Sequence, residues 1–133
     1  MSTDGKRRDL APEDMRVQVL RSKIHRARIT QTDIEYEGSL AIDLDLMDTA
    51  GVLPYEKLLV VNASNGERLE TYAIPAPRGS RTFCLNGAAA RKGMVGDRVT
   101  VMVFASIRME DATRLTPRVV VLGEGNEVVS PPR

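Results

Sequence analysis

The chain has 133 residues, which against a domain size of about 100 to 200 residues means one domain with a single core. Its 19 Lys and Arg against 18 Asp and Glu leave a net charge of +1, without the basic footprint that nucleic-acid or anionic-membrane binding needs. One cysteine, Cys84, precludes an internal disulfide, and one histidine, His25, argues against a zinc site or a conventional Ser/His enzyme. The longest apolar runs, such as Val99 to Ile107, fall far short of the roughly 20 residues that span a bilayer. The first fourteen residues lack the apolar stretch of a secretory signal, so a cytoplasmic location is expected.

From the N-terminus, residues 1–14 are polar, carry Gly5 and Pro12, and read as a flexible extension; the folded domain is expected over residues 15–133. Short β-type runs then dominate: Val17 to Leu20, Arg28 to Thr30, Leu40 to Leu44, Leu58 to Val61, Arg68 to Ile74, Thr82 to Leu85, Val99 to Phe104 and Arg118 to Leu122. Turn signals separate them, the sharpest being Asn65-Gly66, whose pair suits a type I′ hairpin turn. Two short helices are expected, Leu44 to Ala50 ended by Gly51, and Glu110 to Arg114. Leu40, Ile42, Leu44 and Leu46 alternate onto one face, which puts Ser39 on the other face with Asp43 and Asp45. Many short strands in so short a chain predict a mainly β fold, a small closed barrel, because closure removes exposed edges.

Few side chains can carry chemistry. Cys84, within Phe83-Cys84-Leu85, reads as a small buried hydrophobe. A lone histidine such as His25, between Lys23 and Arg26, is more often structural than catalytic. The Glu37-Gly38-Ser39 step offers something else. A serine hydroxyl can attack the preceding carbonyl if the backbone is strained, and glycine makes such strain easier to hold. The resulting ester can eliminate across the serine Cα and Cβ, and hydrolysis of the enamine then leaves a ketone at a new chain terminus. Gly-Ser alone is common and marks an ordinary turn into a strand.

The surrounding motifs carry the signal. Ser22-Lys23-Ile24-His25-Arg26-Ala27, Tyr36-Glu37-Gly38-Ser39, Asn65-Gly66-Glu67-Arg68, Thr71-Tyr72-Ala73-Ile74, Arg78-Gly79-Ser80 and Asn86-Gly87-Ala88-Ala89-Ala90 follow one another in order and spacing. Together, over Met15 to about Val128, they resemble the bacterial aspartate α-decarboxylase family, pyruvoyl enzymes that make β-alanine for pantothenate. The resemblance implies a double-psi β-barrel, a homotetramer with active sites between subunits, and a proenzyme. Self-cleavage between Gly38 and Ser39 would yield a β chain of residues 1–38 and an α chain of residues 39–133 headed by a covalent pyruvoyl group derived from Ser39. That cleavage is either spontaneous or aided by a helper protein.

The same resemblance assigns roles. The ketone from Ser39 would hold L-aspartate as a Schiff base and serve as the electron sink for decarboxylation. Arg68 would bind a substrate carboxylate, a task suited to its planar fork of donors. Tyr72 would return a proton to the α-carbon, a phenol being able to serve as a general acid. Thr71 would hold the carbonyl oxygen of Gly38 during cleavage, although strand alternation puts it on the face opposite Arg68, Glu70 and Tyr72. Lys23 would add a second cation for the dicarboxylate, and His25 and Tyr36 would serve processing. Asn86, Gly87, Ala88 and Ala89 would line the pocket at the pyruvoyl, with Asn86 donating to a developing oxyanion. The chain departs from the family at Val61, commonly aromatic, and at Arg91-Lys92, where histidine is common. Residues 1–14 are a further departure, since Met15 stands where the family usually begins. A competing reading is a barrel that never matures and serves as a binding or assembly module. Ser39, Arg68 and Tyr72 are not demanded by a core, so their joint presence favours the enzyme.

Overall fold

The structure, a computed structural model, describes residues 9–130. Nine strands follow in chain order: β1 (Arg16–Arg28), β2 (Gln31–Asp33), β3 (Ser39–Asp43), β4 (Lys57–Asn62), β5 (Arg68–Ala76), β6 (Phe83–Asn86), β7 (Arg98–Arg108), β8 (Arg118–Leu122) and β9 (Val128–Ser130). Two short helices, α1 (Leu44–Ala50) and α2 (Met109–Ala112), join them. The strands form one mixed sheet in the order β2-β6-β3-β5-β4-β7-β1-β8-β9, the small, mainly β barrel expected from the sequence. Among the described residues no helix is long and apolar enough to cross a membrane.

Inward-facing aliphatic residues fill the barrel: Ile24, Leu40, Ile42, Leu58, Val60, Val101, Val103, Val120 and Leu122, with Phe83 and Leu85, are almost wholly buried. Each contributes roughly 1.5–3 kcal/mol by leaving water. Helix α1 plugs this core with Leu46, Met47 and Ala50. It starts because Asp43 ends β3 and turns its carboxylate onto the Asp45 N–H at 2.8 Å, an N-cap. It stops at Gly51, whose φ of +75° admits the left-handed residue of a Schellman ending; Val52 N–H bonds back to Met47 O at 2.8 Å. The leucine alternation therefore breaks at Asp43, and the second face of β3 is not solvated, since Ser39 and Asp43 are buried too.

One side chain stitches the two ends of the sheet. Asn126, buried in the turn between β8 and β9, accepts from Arg28 N–H at 2.8 Å and donates to Arg28 O and Arg81 O, each at 3.0 Å. Arg81 also pairs with Glu127 at 3.2 Å across the same seam.

Two expectations are corrected. Arg28 is not the start of a strand but the end of β1, which runs unbroken from Arg16; two register shifts against β7, between Leu20 and Ser22 and between Ile24 and Ala27, disguise its alternation. Asn65-Gly66 does not form a two-residue type I′ turn: β4 and β5 are joined by residues 63–67, and Gly66 has a positive φ of +79° while Asn65 does not. Asn65 instead uses its side chain to accept from Glu67 N–H at 2.9 Å. Of the expected N-terminal extension, residues 1–8 lie outside the described residues; within the remainder, Pro12–Asp14 form a 3-10 turn closed by Asp14 N–H to Ala11 O at 2.8 Å and packed on α2.

Candidate active site

Ser39 opens β3 at the point where this strand meets β6 in antiparallel register, Ser39 opposite Asn86 and Ala41 opposite Cys84. Alternate residues share a face, so Ser39, Asn86 and Cys84 converge, with Ala41 leaving room for them. The Ser39 side chain is buried, and its Oγ accepts from Asn86 Nδ2 at 2.9 Å. It donates only over a long 3.5 Å contact to Glu37 O, two residues upstream. Asn86 Oδ1 in turn accepts from the Cys84 thiol at 3.2 Å. Burial first, and then the charge of Asp33, raise the thiol pKa, so Cys84 remains an S–H donor at neutral pH.

Gly87 packs against the Gly38-Ser39 step from the next turn. Its φ is +63°, and a Cβ there would lie 2.7 Å from Gly38 N and 2.8 Å from Tyr36 O. Only glycine allows this approach. Gly38 itself is different: its φ is not left-handed, and a Cβ on it would meet nothing within 4 Å. Gly38 thus carries no left-handed backbone strain; the steric requirement sits on Gly87.

Beside Gly38 lies an open cleft of about 360 Å³ lined by Leu69, Glu70, Thr71, Tyr72, Ala88, Ala89 and Lys92. It exists because β5 pairs with β3 only from Ala73 onward, opposite Leu40, leaving the edge of residues 68–72 unpaired on that side. Thr71 and Tyr72, which alternation sends to opposite faces, both reach the cleft across this free edge. A second cleft, of about 560 Å³, shares Glu70, Thr71 and Tyr72 and adds Tyr55 and Lys57.

The structure therefore gathers Gly38, Ser39, Thr71, Tyr72, Asn86, Gly87, Ala88 and Ala89 at one place. Tyr36 is half exposed in the turn before Gly38 and lines a further cleft with Asp33, Cys84 and Asn86. Arg68 is exposed at the head of β5, four residues before Tyr72. Lys23 and His25 are not brought to Ser39 within one chain: they lie on β1, which β5, β4 and β7 separate from β3 in the strand order. Burial first, then the charges of Lys23, Arg26 and Arg98, lower the His25 pKa, and its Nδ1 lies 3.3 Å from Thr100 Oγ1. Cys84, Tyr55 and Lys92 were not expected at the site. For Cys84 the signal was present, since it stands two residues before Asn86 on a strand.

A small β-barrel that holds the buried Ser39 hydroxyl against the Asn86 carboxamide, with an open cleft carrying Thr71 and Tyr72 beside Gly38, defines a mainly β protein with a candidate site at Ser39. Known proteins carry this further. The family model described as aspartate decarboxylase matches residues 15–129. The chain is 50% identical to the aspartate 1-decarboxylase of Maricaulis maris over 119 residues, 90% of this chain and 98% of that one. It is 51% identical to that of Hyphomonas neptunium, covering 86% of this chain and 97% of that one, and 52% identical to that of Salinibacter ruber, covering 86% and 78%. The chain belongs to the aspartate decarboxylase family.

Proposed function

We propose that this enzyme removes the α-carboxyl of L-aspartate to give β-alanine and CO2, supplying pantothenate and so coenzyme A synthesis in the cytoplasm. It would do so after cleaving itself between Gly38 and Ser39. The observation that carries this reading is the buried Ser39 hydroxyl, held by Asn86 and packed against Gly87, in a chain half identical to enzymes named for this reaction. In the cleavage, Ser39 Oγ adds to the Gly38 carbonyl carbon, the amide nitrogen leaves, and the ester eliminates; hydrolysis releases ammonia and leaves a pyruvoyl group on residue 39. Thr71, at the cleft beside Gly38, suits the carbonyl oxygen as charge builds there. Tyr36, in the turn that Gly87 packs against, and His25 serve this step.

The residues present fit a pyruvoyl group: Gly87 makes a cradle that a Cβ would fill, and Asn86 aims a donor at the position of the serine oxygen. Once formed, the group supplies an electron sink for the charge left when CO2 departs. The chain does the rest. Arg68 holds a carboxylate bidentately and Lys23 adds a second cation. Asn86 Nδ2 stabilises negative charge on an adjacent oxygen, Ala88 and Ala89 keep the cleft wall low, and Tyr72 delivers its phenol proton to the α-carbon. The separation of Lys23 and His25 from Ser39 in one chain supports sites shared between neighbouring subunits of a homotetramer. Cleavage proceeds alone or with a helper protein.

The test is the intact mass of the purified protein. Two fragments split at residue 39 are expected, and Ser39→Ala should remain one uncut, inactive chain. Aspartate decarboxylation by that variant would refute the reading. Tyr72→Phe should cleave normally but turn over slowly.

A further inference from the structure

Tyr55 occupies a backbone position that disfavours it. Residues 53–56 form a turn closed by Glu56 N–H to Leu53 O at 3.1 Å, with Pro54 second and Tyr55 third at a φ of +68°. Positive φ at the third position is the mark of a type II turn, where glycine or asparagine is preferred. A bulky side chain there is strained.

The turn is pinned by groups other than the tyrosine ring. Tyr55 N–H donates to Ala73 O at 2.7 Å, and Ala73 N–H donates to Glu56 O at 3.0 Å. The Glu56 carboxylate accepts from Leu53 N–H at 3.0 Å and pairs with Arg21. Glycine or asparagine would keep every one of these bonds. Burial does not account for the ring either, because Tyr55 is 76% exposed.

What the ring does contact is Tyr72. Their centroids are 6.4 Å apart with planes tilted by 34°, within the range of favourable aromatic pairs. Tyr72 stands on the ridge between the cleft beside Gly38 and the cleft that Tyr55 walls. A strained residue that the fold does not need points to a functional constraint. We infer that Tyr55 is a positioning residue whose ring, walling the second cleft, keeps the Tyr72 phenol turned toward the cleft at Gly38. The inference rests on the proton-donor role proposed for Tyr72.

The test uses the full chain with Tyr55→Gly, Tyr55→Asn and Tyr55→Phe. Relief of the turn should raise the melting temperature of the glycine and asparagine variants by a few degrees. Their cleavage pattern and oligomeric state should match the parent. Their kcat on aspartate should fall by about tenfold or more, because a misplaced donor slows the chemical step. KM should stay within about twofold, since the carboxylate-binding residues are untouched. Tyr55→Phe should retain both stability and kcat. A glycine variant with parental kcat overturns the inference, as does a kcat loss accompanied by failed assembly or shared by Tyr55→Phe. Tyr72→Phe, measured alongside, separates the levels. If it is slow while Tyr55→Gly is fast, this inference alone falls; if it is fully active, the role of Tyr72 falls and takes this inference with it.

Discussion

The main chain of Gly87 rests directly on that of Gly38, so that a Cβ at position 87 would stand 2.7 Å from Gly38 N and 2.9 Å from Gly38 Cα. Backbone cannot yield as a flexible side chain can, and the positive φ of Gly87 adds about 1–2 kcal/mol for any L-residue. Gly87→Ala should therefore push the Gly38-Ser39 step off Asn86 and suppress self-cleavage, leaving one chain in the mass spectrum. Gly38→Ala has room for its methyl group and should fold with near-parental stability. Efficient cleavage of Gly87→Ala would show that the close approach is incidental.

The Cys84–Asn86–Ser39 chain of hydrogen bonds yields a second expectation. A carboxamide has two nearly isosteric ends, and the thiol donating to Oδ1 leaves Nδ2 for Ser39. Cys84→Ser keeps a donor at that place and should cleave and turn over near the parental rate. Cys84→Ala removes it, leaves Oδ1 unpaired in a buried site, and should slow both by several-fold; Asn86→Ala should be slower still. Equal rates for the serine and alanine variants would exclude orientation of the amide by the thiol.

How much of this was written in the chain follows from which contacts are local. Helix α1 was legible to the residue because its cap, apolar face and terminating Gly51 are consecutive. The strands written as consecutive apolar or β-branched runs, β4, β5, β7 and β8, were legible for the same reason. β2 and β9 were not: Gln31-Thr32-Asp33 has no apolar pattern and is a strand only because β6 runs beside it, opposite Cys84 to Asn86. At the site, Gly38, Ser39, Thr71, Tyr72, Asn86 and Gly87 were recognised as motifs. The reasons they cooperate are long-range: the β3–β6 register, the free edge of β5 and the approach of Gly87 to Gly38. No spacing within one segment encodes those.

Asn126 tests the barrel seam. Its three hydrogen bonds join the end of β1 to the segment before β6, and its φ of +59° is one asparagine tolerates. Asn126→Gly relieves the backbone but leaves the Arg28 N–H without its partner, at a cost of roughly 1–3 kcal/mol. Asn126→Ala adds the penalty of left-handed φ and should be less stable again. Chemical denaturation of the three proteins should rank them in that order, and equal midpoints would mean the seam is held elsewhere.

Asp43 sets the acid limit. Burial by itself would raise its pKa, but N–H donors from Arg81, Asp45 and Gly79 and the Arg81 guanidinium outweigh burial and hold it below 3.8. A carboxyl with a depressed folded-state pKa binds fewer protons folded than unfolded, so its stabilisation is complete above the unfolded value. It is lost as pH falls from about 4 through the folded value. Asn at this position keeps one acceptor for the Asp45 N–H but carries no charge for Arg81 and does not titrate. Asp43→Asn should thus be less stable than the parent at pH 7, by about 1–2 kcal/mol. The gap should narrow as pH drops below about 4, because protonation removes from the parent what the variant already lacks. Urea denaturation of both proteins between pH 7 and pH 3 measures this directly, and parallel curves over that range would mean that Asp43 does not titrate with unfolding.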